Sequence, residues 1–442
     1  LTLRADNNIT INNAVTLTGA GSTLTINADN DSSGVGDFST AAEINIQADS
    51  GITITGQNIR LAGSAGFANG KLQSNDTSIN LNPIAGIILS GNVRIDTDKD
   101  NTGNAGSAFL TASNIFADVA GKTLSIDTNR VNNATGGTIA INALVDDGAA
   151  AGLFLGALKL RSQGATDGTI SLSQNISVDG GDVTLQGKVV LLNSISIDTE
   201  QGNNGSAGSI IFARTDLPEG FITVGNVNST ISSAAAGLTL TLDASTTGGN
   251  GGEVALGNFN SDGGNFINKL DVNTDGTANG QIIINENIAL SQTTGDGFVS
   301  NASGANIISR RDSNTGNVQS ITTQGGNILL NNGHIFAESG DTDMQLTLNS
   351  TGASATSGAI NFGVVDDDSG TDSFLNAFSV FANGTTTVGT ISLQGSAISV
   401  DGSINLLGNV ELNTTTVLDS EQGNNAVAGS VVVGGAIGSS IT

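Results

Sequence analysis

The chain has no cysteine, no tryptophan and no tyrosine, a single histidine, a single methionine and two prolines in 442 residues. Without cysteine there is no disulfide framework, so stability must come from packing and backbone pairing, and the absence of thiols suits an exported protein. One histidine and no cysteine leave almost nothing for a structural zinc site. A Ser-His-Asp triad would have to be built on His334, whose context "NNGHIFAES" reads as a turn entering a strand. Carboxylate-based glycoside chemistry calls for acids among irregular insertions and aromatic platforms for sugar rings. Here the acids recur in repeated loops and the large polar aromatics are missing, so the sequence is read as non-enzymatic. Cations are scarce as well: 14 Lys and Arg stand against 40 Asp and Glu, a net charge of −26. That balance excludes nucleic-acid binding, which needs clustered Lys and Arg. No apolar run approaches the ~18 residues of a membrane span. The chain opens on Leu1 inside a strand-like pattern, and any targeting signal is expected outside it.

What is present is β-branched and turn-forming. Val, Ile and Thr fit a pleated surface, while Gly (61 residues), Asn, Asp and Ser are turn residues. Apolar residues come in short bursts, "TISL" at 169–172, "ISV" at 176–178, "VTL" at 183–185, "VVLL" at 189–192 and "ISI" at 195–197. Period-2 alternation broken every six or seven residues is a strand–turn rhythm.

Longer repeats lie on top of this rhythm. Ile170 matches Ile391, Gly187 matches Gly408, Asp198 matches Asp419 and Gly208 matches Gly429, each pair 221 apart. Residues 1–221 and 222–442 therefore read as two large units. A match at 112, Leu158 with Leu270 and Gly168 with Gly280, divides each into two modules of ~110 residues. An apolar-x-apolar pair followed by Asn or Asp recurs as "LTIN" at 24, "VRID" at 93, "LSID" at 124, "ISID" at 195, "LTLD" at 240, "LDVN" at 270, "LTLN" at 346 and, degraded, "TVLD" at 416. A Gly-rich loop of variable length usually follows. Fixed-period strands without helices predict a solenoid. The expected fold is all-β, a right-handed parallel β-helix without significant helix, forming a continuous rod without linkers. The gaps predict three short strands per coil, roughly 19–22 residues, and so about 20–23 coils spaced ~4.8 Å apart.

"ISVDGGDVTLQGKVVLLNSISIDTEQGNNGSAGSIIF" at 176–212, continued by "AGLTLTLDASTTGGNGGEVALG" at 236–257, resembles the β-strand-repeat, filamentous-haemagglutinin-like giant surface exoproteins of bacteria. The resemblance covers most of the chain and is clearest at 158–257 and 378–433. It implies an exported, repetitive β-solenoid at the cell surface, used for adhesion, extracellular filaments or a surface layer. The leading expectation is a structural segment of a secreted filament, sheath or giant fibrous protein that self-associates end to end and laterally. The alternative is an adhesin stalk whose variable loops, such as 143–157 or 363–377, contact host or neighbouring cells.

The acidic loops are the one place where chemistry suggests itself. "DTDKDNTG" at 96–103 sets Asp96, Asp98 and Asp100 at alternating positions, as in a calcium loop. Its glycine falls at position 8 rather than 6, and position 12 is Ser107. The sister loops keep Asp198 with Glu200 and Asp419 with Glu421. Two readings stand side by side: calcium held by these seven carboxylates, or solvated turns of the scaffold. "GGNGGEVAL" at 248–256 resembles a single calcium-binding nonapeptide with Glu253 in place of Asp, and without a tandem copy it reads as a glycine corner.

Overall fold

The computed structural model describes the chain apart from residues 66–69, 100–103, 130–134, 149–151, 165, 202–204, 213–229, 261–264, 279, 311–316, 339–342, 353–355, 367–372, 423–428 and 435–438. The described residues are all-β and contain no helix, hence none long and apolar enough to cross a membrane. The strands are mostly two to seven residues long and stack in parallel, in a β-solenoid of three faces. The chain divides into two compact units, Leu1–Gly202 with Arg214–Ser229, and Asn203–Ala213 with Thr230–Thr442.

In the first unit, face I opens with Thr2–Arg4 and Thr23–Asn27, face II with Ile9–Ile11 and Phe38–Thr40, and face III with Val15–Leu17 and Ile46–Ala48. Each later strand lies on the strand three before it. In the second unit, counted separately, face I opens with Thr230–Ser233, face II with Thr239–Asp243 and face III with Ile210–Ile211 and Val254–Leu256. Two longer strands there, Asp296–Ser309 and Asn327–Ala337, run from face II into face III without a break.

The alternating pattern seen in the sequence becomes stacked columns. On face I of the first unit, Leu24, Ile52, Ile79, Ala108, Ile139, Ile170 and Val189 sit in register, all buried. In the second unit Val254, Ile282, Ile307 and Ile335 form an equivalent column. Burying an aliphatic side chain of this size stabilises by about 1.5–3 kcal/mol. Between them Thr25, Thr53 and Asn80 face outward. Phenylalanine also fills the interior: Phe212 meets Phe259 edge-on at 6.2 Å, and Phe362 meets Phe378 at 5.2 Å.

The coils are longer and fewer than the sequence rhythm predicts. On face I the step is 19 residues from Ile170 to Val189, but 31 from Ile139 to Ile170 and 33 from Ile288 to Ile321. Face I therefore has eight strands in each unit, rather than the 20–23 coils expected along the chain.

Candidate functional site: the clamped corner loops

Every strand ending in the apolar-x-apolar-Asx signature turns back on its own carboxylate or amide. The Oδ1 atom of Asp96 accepts the N–H of Asp98 at 3.2 Å, Asp198 that of Glu200 at 2.9 Å, and Asp419 that of Glu421 at 3.0 Å. Asn27, Asp127, Asp243, Asn273 and Asn349 do the same two residues on. This is the Asx turn, for which a short side chain carrying an acceptor is required.

The next residue closes the loop. The carbonyl of Thr97 accepts the Gly106 N–H at 3.2 Å, and its hydroxyl donates to the Gly106 carbonyl at 2.8 Å. Thr128 grips Gly137 in the same two ways, at 2.9 and 3.0 Å, as Ser350 does Gly358 and Ser420 does Gly429. Ala244 with Gly252 and Thr274 with Gly280 keep the backbone half, each at 2.8 Å. The chain is thus pinched at the neck. "GGNGGEVAL" is one such neck, at Gly252. The glycines are required because the necks stack: a Cβ on Gly137 would stand 1.6 Å from the Gly106 carbonyl oxygen, and one on Gly280 1.9 Å from that of Gly252.

The loop-bearing corner moves along the chain. Leu158 and Leu270 lie in strands that are eleven apart in chain order, as do Asp96 and Asp198. A turn holds three strands, so eleven is one short of four turns. In the first unit Asp96 and Asp127 end face III strands, whereas Asp198 ends a face II strand. In the second unit Asp243 and Asn273 end face II strands, Asn349 a face I strand and Asp419 a face III strand. In the first unit the sister loops of Asp96 and Asp198 therefore open at different corners and do not stack.

The candidate metal ligands separate accordingly. Asp96 faces Arg94 at 3.5 Å and accepts from the Gln73 amide at 3.2 Å. Asp98 is buried, and its backbone forms an antiparallel bridge with Asn75. Asp100 lies outside the described residues. Asp127, directly above Asp96, takes the Arg94 guanidinium at 2.9 Å. Its carboxyl is still pushed above the usual range, chiefly by burial, with Arg94 opposing. Glu200 is buried beside Asp179, across an antiparallel bridge. Asp179 is raised by burial first, then by the charge of Glu200 and their hydrogen bond. Among the described residues no group of three or more His, Asp or Glu is placed to hold a metal ion.

One pairing escaped the sequence reading. His334 Nδ1 meets Asp366 Oδ1 across one turn, in the register that sets His334 beside Val364. The two are 32 residues apart, a coil length that the gaps between apolar bursts did not disclose.

No protein family, no curated protein and no solved structure matches the chain.

Proposed function

We propose that this chain is a structural segment, a β-solenoid repeat region of a secreted bacterial surface filament, sheath or giant fibrous protein. It acts mechanically, by end-to-end and lateral association of copies, in the manner of the filamentous-haemagglutinin-like exoproteins that its repeats resemble. The observation that carries this reading is where the polar residues go. Asp, Asn, Thr, Ser and Gly, turn after turn, are committed to Asx turns and loop necks. Such an arrangement builds a regularly paired scaffold. Electron cryo-microscopy of the purified chain and of the native cell surface tests it: fibres or bundles with a ~4.8 Å axial repeat are expected. Discrete particles at every concentration would overturn it.

The pinched necks favour a second reading. They close over spans of unequal length, five residues between Thr274 and Gly280 and eight between Thr128 and Gly137, and segments of variable length between strands suit an adhesin contacting host or neighbouring cells. Saturable binding of the intact chain to whole cells, lost when loops are shortened to bare necks, would favour that reading.

A further inference from the structure

Charge is distributed unevenly along the chain. Before residue 230 there are 11 Lys and Arg against 21 Asp and Glu; from 230 onward there are three against 19. The net charges are −10 and −16, which together make the −26 of the whole chain. The cations of the first unit are also concentrated in space. Face III strands carry Lys71, Arg94, Lys122, Lys159 and Arg161 against only Asp96 and Asp127, whereas strands of faces I and II hold just Arg4, Lys188 and Arg60.

The parallel register orders them. Lys71 lies beside Arg94, Arg94 beside Ser125, and Ser125 beside Lys159. Coils ~4.8 Å apart make this an outward column about 14 Å long, with a cation on three of four successive turns. Its inward neighbours Leu72, Ile95, Ile126 and Leu160 are in the core, so alternation turns the column to the outside. Lys71, Arg94 and Lys159 are half-buried, whereas Ser125 within the column and Arg161 and Gln186 further along are buried. Arg94 is engaged with Asp127 and Asp96. Among the described residues no ion pair joins a carboxylate to Lys71, Lys122 or Lys159. The second unit offers the complement. Its described cations are already neutralised, Lys269 by Asp271 at 3.0 Å and Arg310 by Glu338 at 2.8 Å, and Asp243, Glu253, Asp401 and Glu411 keep surface in solvent.

We propose that the Lys71–Arg94–Lys159 column is a lateral docking face for a second copy of this chain, and that it takes the acidic second unit of that copy. This rests on the structural reading above and gives its lateral association a location. Unlike surfaces meet, so the contact is heterologous, the kind that propagates into open assemblies rather than closing as a dimer. Individually weak pairs between partly exposed charges make such a face strongly dependent on ionic strength.

The test is sedimentation velocity on the full chain at about 20 mM and about 500 mM salt, where the Debye length falls severalfold. Wild type is expected to form larger species at low salt and to lose them at high salt. Lys71→Glu with Lys159→Glu should weaken low-salt association at least tenfold, and Lys71→Arg with Lys159→Arg should preserve it. Circular dichroism melting checks that both variants fold, and Lys71→Gln with Lys159→Gln serves if the glutamates do not. Association of the glutamate variant equal to wild type overturns the proposal, as does a wild type that is unassociated at low salt. Tighter binding to an acidic polysaccharide such as polygalacturonate than to itself, lost in the variant, overturns the choice of a second copy. Fibres that form but do not bundle overturn the docking face and leave the structural reading intact; absence of both removes both.

Discussion

Thr128 shows how one hydroxyl holds a corner. It is fully buried, with Oγ1 3.0 Å from the Gly137 carbonyl oxygen and 3.2 Å from that of Arg161. Thr128→Val keeps the shape and removes the donor, so it should cost about 1–2 kcal/mol in urea unfolding, whereas Thr128→Ser should cost less. A valine variant as stable as wild type would show that the backbone bond between Gly137 and Thr128 closes the neck unaided. Asp179 gives a pH signature of its own. Its carboxyl titrates above its ordinary 3.8, through burial and then the neighbouring Glu200. A folded-state pKa raised above the unfolded one means that the folded chain holds this proton more tightly. The stabilising contribution is full below 3.8 and is lost as pH rises through the raised value. Asp179→Asn, which removes the charge, should therefore be more stable than wild type at about pH 7, and its advantage should shrink toward about pH 4. Equal denaturation midpoints for the two proteins at both pH values would mean that neither burial nor Glu200 penalises the Asp179 charge.

At the scale of the strand and its corner, the neck decouples loop length from the stack. A loop tied at both ends adds little closure entropy as it lengthens, about 0.6 kcal/mol per doubling. Ten Gly and Ser residues inserted after Gly248, inside the neck formed by Ala244 and Gly252, should lower stability by no more than about 1 kcal/mol. The same insertion between Gln186 and Gly187 should be far more damaging. There the chain passes straight from face III to face I through a glycine at φ +146°, with no neck to isolate the addition. Comparable losses at the two places would refute the role given to the neck. This difference also explains what the sequence could disclose. Strand identity, parallel stacking and inward columns were legible because alternation of Ile, Val and Leu with Thr and Asn is a local signal. The Asx signature was legible too, although its hydrogen bonds were not. Coil length was misjudged because the clearest rhythm, from Ile170 to Ile197, spans the 19-residue step at Gly187, the tight one. Elsewhere the step between coils is longer, and the bond from Thr128 to Gly137 leaves no mark in a hydrophobic pattern. The pairing of His334 with Asp366 was hidden by the same error in step.

At the scale of the whole chain, the metal question becomes one of screening against coordination. A net charge of −26 works against any compact arrangement, and either salt or calcium relieves it. Calcium asks for six to eight oxygens converging on one point. Within the first unit an eleven-strand spacing in a three-strand turn puts the sister acids of 96 and 198 at different corners, and Oδ1 of Asp96, Asp198 and Asp419 each already accepts a backbone N–H. Melting in about 1 mM calcium should therefore match melting in chelator with sodium chloride at equal ionic strength, because screening depends on ionic strength rather than on the identity of the cation. A rise specific to calcium that disappears in Asp198→Asn with Glu200→Gln would return these loops to the status of metal sites. An unchanged midpoint in both proteins would assign them to the scaffold, where the acids shape the corner through their Asx turns.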